Sequence, residues 1–164
     1  MISWPAANGW PFILSIQDFI IMRTVIVQLI TSYIGSVAFG MIFGLRRRYL
    51  LVSGLGGLLA WAIYLGSYHF LGSEFFCCLL ASAFAALFAE LLAHLCKAPS
   101  TLFLIPALIP LIPGSFLYYT MSATVQSDME TARFYGKATL TWALAIAAGI
   151  SLVIAFRELR TKRN

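Results

Sequence analysis

The sequence is short of charge. Only 10% of its 164 residues are Asp, Glu, Lys or Arg, while 61% are hydrophobic; a soluble domain carries roughly 25% charged residues. With a mean hydropathy of +0.90, the chain lacks the polar side chains needed to solvate a globular surface, which excludes a water-soluble domain. Met1–Gln17 holds no Lys or Arg, so the basic n-region of a secretory signal is missing. Cysteine is scarce too. Cys77, Cys78 and Cys96 fall in apolar sequence without CxxC spacing and read as buried thiols. Nothing calls for a metal or a cofactor. There is no HExxH, no glycine-framed nucleophilic serine and no pair of intramembrane aspartates, which argues against an enzyme.

What the chain does have is long apolar runs. Five stretches are each long enough to cross a hydrocarbon core of about 30 Å: approximately Thr24–Leu45, Leu51–Leu71, Phe75–Leu95, Thr101–Met121 and Ala138–Phe156. The expected fold is therefore an all-α, polytopic membrane bundle forming a single domain over 1–164. Residues 1–20, with Trp4 and Trp10, read as an interfacial segment, and 157–164 as a basic tail.

The net charge of +5 does not point to nucleic acid, because the basic residues cluster at the ends of the apolar runs. Arg46, Arg47 and Arg48 join the first two spans. Alternation puts Lys97, Arg157, Arg160, Lys162 and Arg163 on the same side, and leaves Arg23, Arg133 and Lys137 on the other. The positive-inside rule then predicts the amino terminus outside and the carboxyl terminus in the cytoplasm. "SATVQSDMETARFYGK" reads as a solvated outer connection, with Asp128, Glu130, Arg133 and Lys137 balancing in charge.

Three features inside the spans stand out. The second span holds Ser53, Gly54, Gly56 and Gly57; Gly54 and Gly57 are three apart, on a face nearly free of side chains that suits close helix packing. In the third, "AELLAHLCK" places Glu90, His94 and Lys97 on one face. Glu90 and His94 are candidates for proton coupling or gating, with pairing of Glu90 to His94 or Lys97 at the membrane edge as the structural alternative. In the fourth, "LIPALIPLIPG" carries Pro106, Pro110, Pro113 and Gly114. Each proline deletes one intrahelical bond, so the carbonyls of Leu102, Pro106 and Ile109 should lose their donors. The prolines lie about 8 to 18 Å into the span, a depth at which free carbonyls must be buried in protein or line a wet cavity. Ser115, Tyr118 and Tyr119 follow with hydroxyls. A broken helix at mid-depth is where secondary transporters build substrate sites, which makes these seven residues the candidate substrate pathway.

The run "LAELLAHLCKAPSTLFLIPALIPLIPGSFLYYTM" resembles the threonine/serine exporter family, particularly its small-subunit branch. Glu90, Lys97, Pro99, Pro106, Pro110, Pro113, Gly114 and Tyr118 match the family pattern in order, and His94 departs from it where relatives carry a basic residue. The resemblance implies an exporter in the inner (cytoplasmic) membrane, carrying amino acids or, in its split form, dicarboxylates such as succinate. It also implies that this chain corresponds to the second half of full-length members and works with a separately encoded larger membrane subunit, the bilayer and a small-molecule substrate; homo-oligomerisation stays open. The competing expectation is a non-transporting assembly or scaffold protein that stabilises a membrane partner.

Overall fold

The computed structural model describes residues 11–161, with side chains described for 22–159. Trp4, Trp10 and the last three residues of the basic tail lie outside the described residues. Six helices follow in order: α1 Pro11–Ile42, α2 Arg47–Leu71, α3 Glu74–Cys96, α4 Thr101–Leu108, α5 Gly114–Val125 and α6 Met129–Thr161. A single 3-10 turn, Ile109–Leu111, joins α4 to α5. No strand occurs among the described residues.

Among the described residues, four helices are long and apolar enough to cross a membrane. The pair Thr101–Leu111 and Gly114–Val125, bent by 58° at the break, makes a fifth when counted as one span. The expected all-α membrane bundle is therefore the observed one. Helix ends are set by local chemistry. Gly44 at φ +71° and Gly72 at φ +61° turn the chain at the ends of α1 and α2, a left-handed conformation that costs glycine nothing. Lys97 does the same for α3 at φ +50°.

α4 occupies the centre of the bundle, packed on α1, α2 and α3, whereas α5 packs chiefly on α6. One core cluster joins α2, α3 and α6 to the 3-10 turn, through Ala60, Tyr64, Cys78, Ala81, Leu111 and Trp142. A second gathers Leu45, Leu50, Leu92 and Phe103 at the basic end. Small residues let the helices approach. A Cβ on Gly149 of α6 would lie 2.6 Å from the Leu79 carbonyl oxygen of α3.

The expected outer connection is instead helical hairpin. α5 runs on to Val125 and α6 starts at Met129, nine residues before the expected Ala138. The reason is a cap: the Thr131 amide donates to Asp128 Oδ1 at 3.1 Å, satisfying an otherwise orphaned donor at the start of α6. At 33 residues, α6 is roughly 50 Å long, well over the thickness of the hydrocarbon core.

Candidate functional site

The broken span repairs most of its own backbone. The Ile109 amide donates to the Pro106 carbonyl, and the Ile112 amide to the Ile109 carbonyl at 3.3 Å. Two of the three carbonyls expected to be orphaned thus find donors one residue nearer, because 3-10 geometry tightens the turn. Pro113, at φ −78° and ψ 54°, then forms an inverse γ-turn closed by the Gly114 amide on the Ile112 carbonyl at 2.8 Å. Backbone polarity alone does not make this site.

Side chains from α1 and α2 do. A pocket of about 270 Å³ opens beside the break, lined by Gln28, Thr31, Ser32, Gly35, Trp61, Ile109 and Pro110. Gln28 and Ser32 are four apart on α1, and Ser36 is four further on, so they form one polar stripe in an apolar helix. Ser32 Oγ donates to the Leu29 carbonyl at 2.8 Å and Thr31 Oγ1 to that of Val27. This spends their protons on α1 and leaves their lone pairs to accept. Trp61 Nε1 and Ser36 Oγ are buried without a protein hydrogen-bond partner, an arrangement that costs about 1–3 kcal/mol for each group. The pocket wall thus carries the Gln28 amide and the Thr31 and Ser32 hydroxyls, with the unpartnered Trp61 N–H buried behind it.

Depth follows from the glycine face. A Cβ on Gly57, near the midpoint of α2, would stand 1.8 Å from Ser36 Oγ and 3.4 Å from Pro110 Cγ. The break, Ser36 and Gly57 thus share one level. Gly54 faces Tyr33 and Val37 of α1, with an added Cβ 2.5 Å from Val37 Cγ2, while Gly56 faces Phe88 of α3 and Ala107 of α4.

The expected pathway residues divide between two places. Pro106 is fully buried; Pro110 borders the pocket and Pro113 is half-buried. Gly114, Ser115, Tyr118 and Tyr119 lie on exposed parts of α5, where the Tyr119 ring packs tilted against Tyr135 of α6 with centroids 5.2 Å apart. The structure does not bring these four to the pocket.

Glu90 pairs with neither His94 nor Lys97. Its Oε1 meets Arg157 Nη1 of α6 at 3.2 Å, a partner 67 residues away that no helical spacing announces. Glu90, His94 and Arg157 nevertheless share one open cleft of about 550 Å³ at the basic end, with Ser100 and Ala98. His94 itself is exposed.

Sequence reasoning missed Gln28, Thr31, Ser32, Ser36 and Trp61. The signal was present as polar residues at four-residue spacing in the first span, Gln28, Ser32 and Ser36.

A family profile described as "Threonine/Serine exporter, ThrE" matches residues 28–156. The chain belongs to that transporter family and is a multi-pass membrane protein. No curated protein and no solved structure matches it.

Proposed function

Starting from membership of that exporter family, we propose that this chain is one subunit of a secondary exporter of small carboxylate-bearing metabolites, threonine and serine or a succinate-like dicarboxylate. It works with a separately encoded larger membrane subunit in the inner membrane, amino terminus outside and carboxyl terminus in the cytoplasm. The observation that carries this reading is the pocket against the proline break, where Gln28, Thr31 and Ser32 stand in an otherwise apolar wall. Hydrogen-bonding groups from α1 and α2 meet a discontinuous helix near the middle of a span, where an idle polar group would be costly.

In this mechanism the solute exchanges water for Gln28, Thr31, Ser32 and Trp61. The short 3-10 segment serves as the hinge between α4, fixed in the bundle, and α5, carried by α6. Glu90 with Arg157 and His94 marks the exit from the cytoplasm. The two arginine-rich ends then lie on the cytoplasmic side, in accord with charge bias.

The test is efflux of amino acids and of succinate from vesicles holding the chain with and without the larger subunit. Pro110→Leu combined with Pro113→Leu is expected to abolish efflux while the protein still inserts. Trp61→Phe, which removes the donor and trims the ring, should reduce it about tenfold or more, the equivalent of at least one lost hydrogen bond. Normal efflux from the double proline variant would overturn the reading. The exposed apolar face of α5, with Tyr118, Met121 and Val125, favours a second reading as an assembly protein. That reading wins if efflux needs this chain only for the partner's insertion and tolerates every pocket substitution.

A further inference from the structure

A second pocket, of about 350 Å³, lies at the basic end between two chain reversals. Gly44, Leu45 and Arg46 come from the α1–α2 connection and Arg48 and Tyr49 from the first turn of α2, while Cys96 ends α3 and Lys97, Ala98 and Pro99 follow in the α3–α4 connection. Phe103 and Leu102 of α4 form its floor. Three cations thus converge from two connections that lie about 50 residues apart in the sequence, and no carboxylate is among the lining residues. Glu90, the nearby acid on α3, is engaged with Arg157 in the separate cleft.

All three cations are exposed, and Arg48 among them is held rather than loose. The Arg48 guanidinium lies 4.4 Å above the centroid of the Tyr49 ring and also contacts the Tyr49 hydroxyl. Tyr49 in turn packs edge-on against Phe103, with centroids 6.0 Å apart, and Phe103 is completely buried. A guanidinium stacked on an aromatic fixed to the core loses less rotamer freedom on binding than a free surface arginine.

Lys97 supplies the independent observation. The two reversals share their outer closing bond: the Leu45 amide donates to the Gly40 carbonyl at 3.0 Å, and the Ala98 amide to the Ala93 carbonyl at 3.2 Å. Each has a left-handed residue at its corner, Gly44 in one and Lys97 in the other. The first shows that glycine serves this turn. A lysine there accepts a backbone conformation that favours glycine, and its side chain lines the pocket.

We propose that this pocket is an anion site, taking a carboxylate or phosphate group between Arg46, Arg48 and Lys97. The shared chemistry is a compact oxyanion bound by charge-assisted hydrogen bonds above an apolar floor. Its source is either a soluble dicarboxylate or the headgroup of an anionic lipid. The site goes beyond the transport reading and stands independently of it.

Arg47 provides the control, since it belongs to the same arginine run but does not line the pocket. The full chain in phosphatidylcholine nanodiscs would be titrated with succinate by calorimetry. In parallel, retention of phosphatidylglycerol over phosphatidylcholine would be read by native mass spectrometry. Combining Arg46→Gln, Arg48→Gln and Lys97→Gln is expected to weaken whichever ligand binds about tenfold or more, while Arg47→Gln changes it less than twofold. Loss confined to succinate assigns the site to a soluble carboxylate, and loss confined to phosphatidylglycerol assigns it to lipid. Lys97→Gly is expected to raise the thermal midpoint yet weaken binding, an outcome that misfolding does not produce. Binding of neither ligand, or equal loss with Arg47→Gln, overturns the proposal. Pro110→Leu with Pro113→Leu should leave this binding intact, so failure of the transport reading and failure of this one are distinguishable.

Discussion

α4 and α5 are consecutive pieces of one apolar stretch, yet they live in different surroundings. On α4 and the 3-10 turn, Phe103, Ala107 and Leu111 are 0% exposed, held by α1, α2 and α3. On α5 Ala123 alone is buried, and Tyr118 and Val125 are 67% and 85% exposed. α5 carries more hydroxyls than α4, but that difference does not set their surroundings, because in a membrane an apolar side chain is equally at home against lipid or protein. What separates them is how close the backbone must come to its neighbours. The three prolines and the 58° bend let one span change partners halfway.

The sharpest way to break this comparison is to truncate a large side chain in each half. Phe103→Ala should destabilise the protein by about 3–5 kcal/mol, whereas Tyr118→Ala on α5 should stay within about 0.5 kcal/mol. Unfolding in mixed detergent micelles measures both; equal effects would mean that α5 is as tightly held as α4.

A smaller effect tests the close approach of α1 and α2 beside the break. Gly57→Ala puts a Cβ 1.8 Å from Ser36 Oγ and 2.8 Å from Ser36 Cβ, and such overpacking typically costs about 1–3 kcal/mol. Adding Ser36→Gly removes both offending atoms and should recover most of the loss. If the double variant is no better than the single, the clash is not with Ser36.

The smallest effect belongs to the far end of the α5–α6 hairpin. Hydrogen bonds from the Thr131 side chain and then its backbone amide hold the Asp128 carboxyl below its ordinary value of 3.8. A lowered carboxyl contributes stability above its ordinary value and loses it as pH falls through the folded value. The start of α6 should stay closed at neutral pH and fray in acid below about 4. Hydrogen exchange at Glu130–Ala132 measures this, and Asp128→Ala should bring the same fraying to neutral pH without touching α4.

Much of this was legible in the sequence. The apolar runs, the break at Pro106–Gly114 and the glycine face follow from composition and helical spacing, and the family match agrees with the resemblance in "LIPALIPLIPG". The α6 cap was legible too, in Asp128 followed by Thr131, but it was masked by reading a polar stretch as loop. Other features left no trace. Nothing in the third span says that Glu90 meets Arg157. Nor does spacing alone tell Gln28, Ser32 and Ser36 from a stripe of hydroxyls bonded harmlessly to their own helix.

The sequence by itself settled that this chain is a membrane bundle with one snapped span, because hydropathy and proline act within one helix and need no neighbour. Only the packed structure decided which polar groups face one another. Trp61 and the polar residues of α1 line one pocket beside Pro110, the Glu90 carboxylate meets Arg157, and Arg46, Arg48 and Lys97 line another, all between residues far apart in the chain. Such contacts depend on how closely several helices approach together, and local periodicity carries no record of that distance.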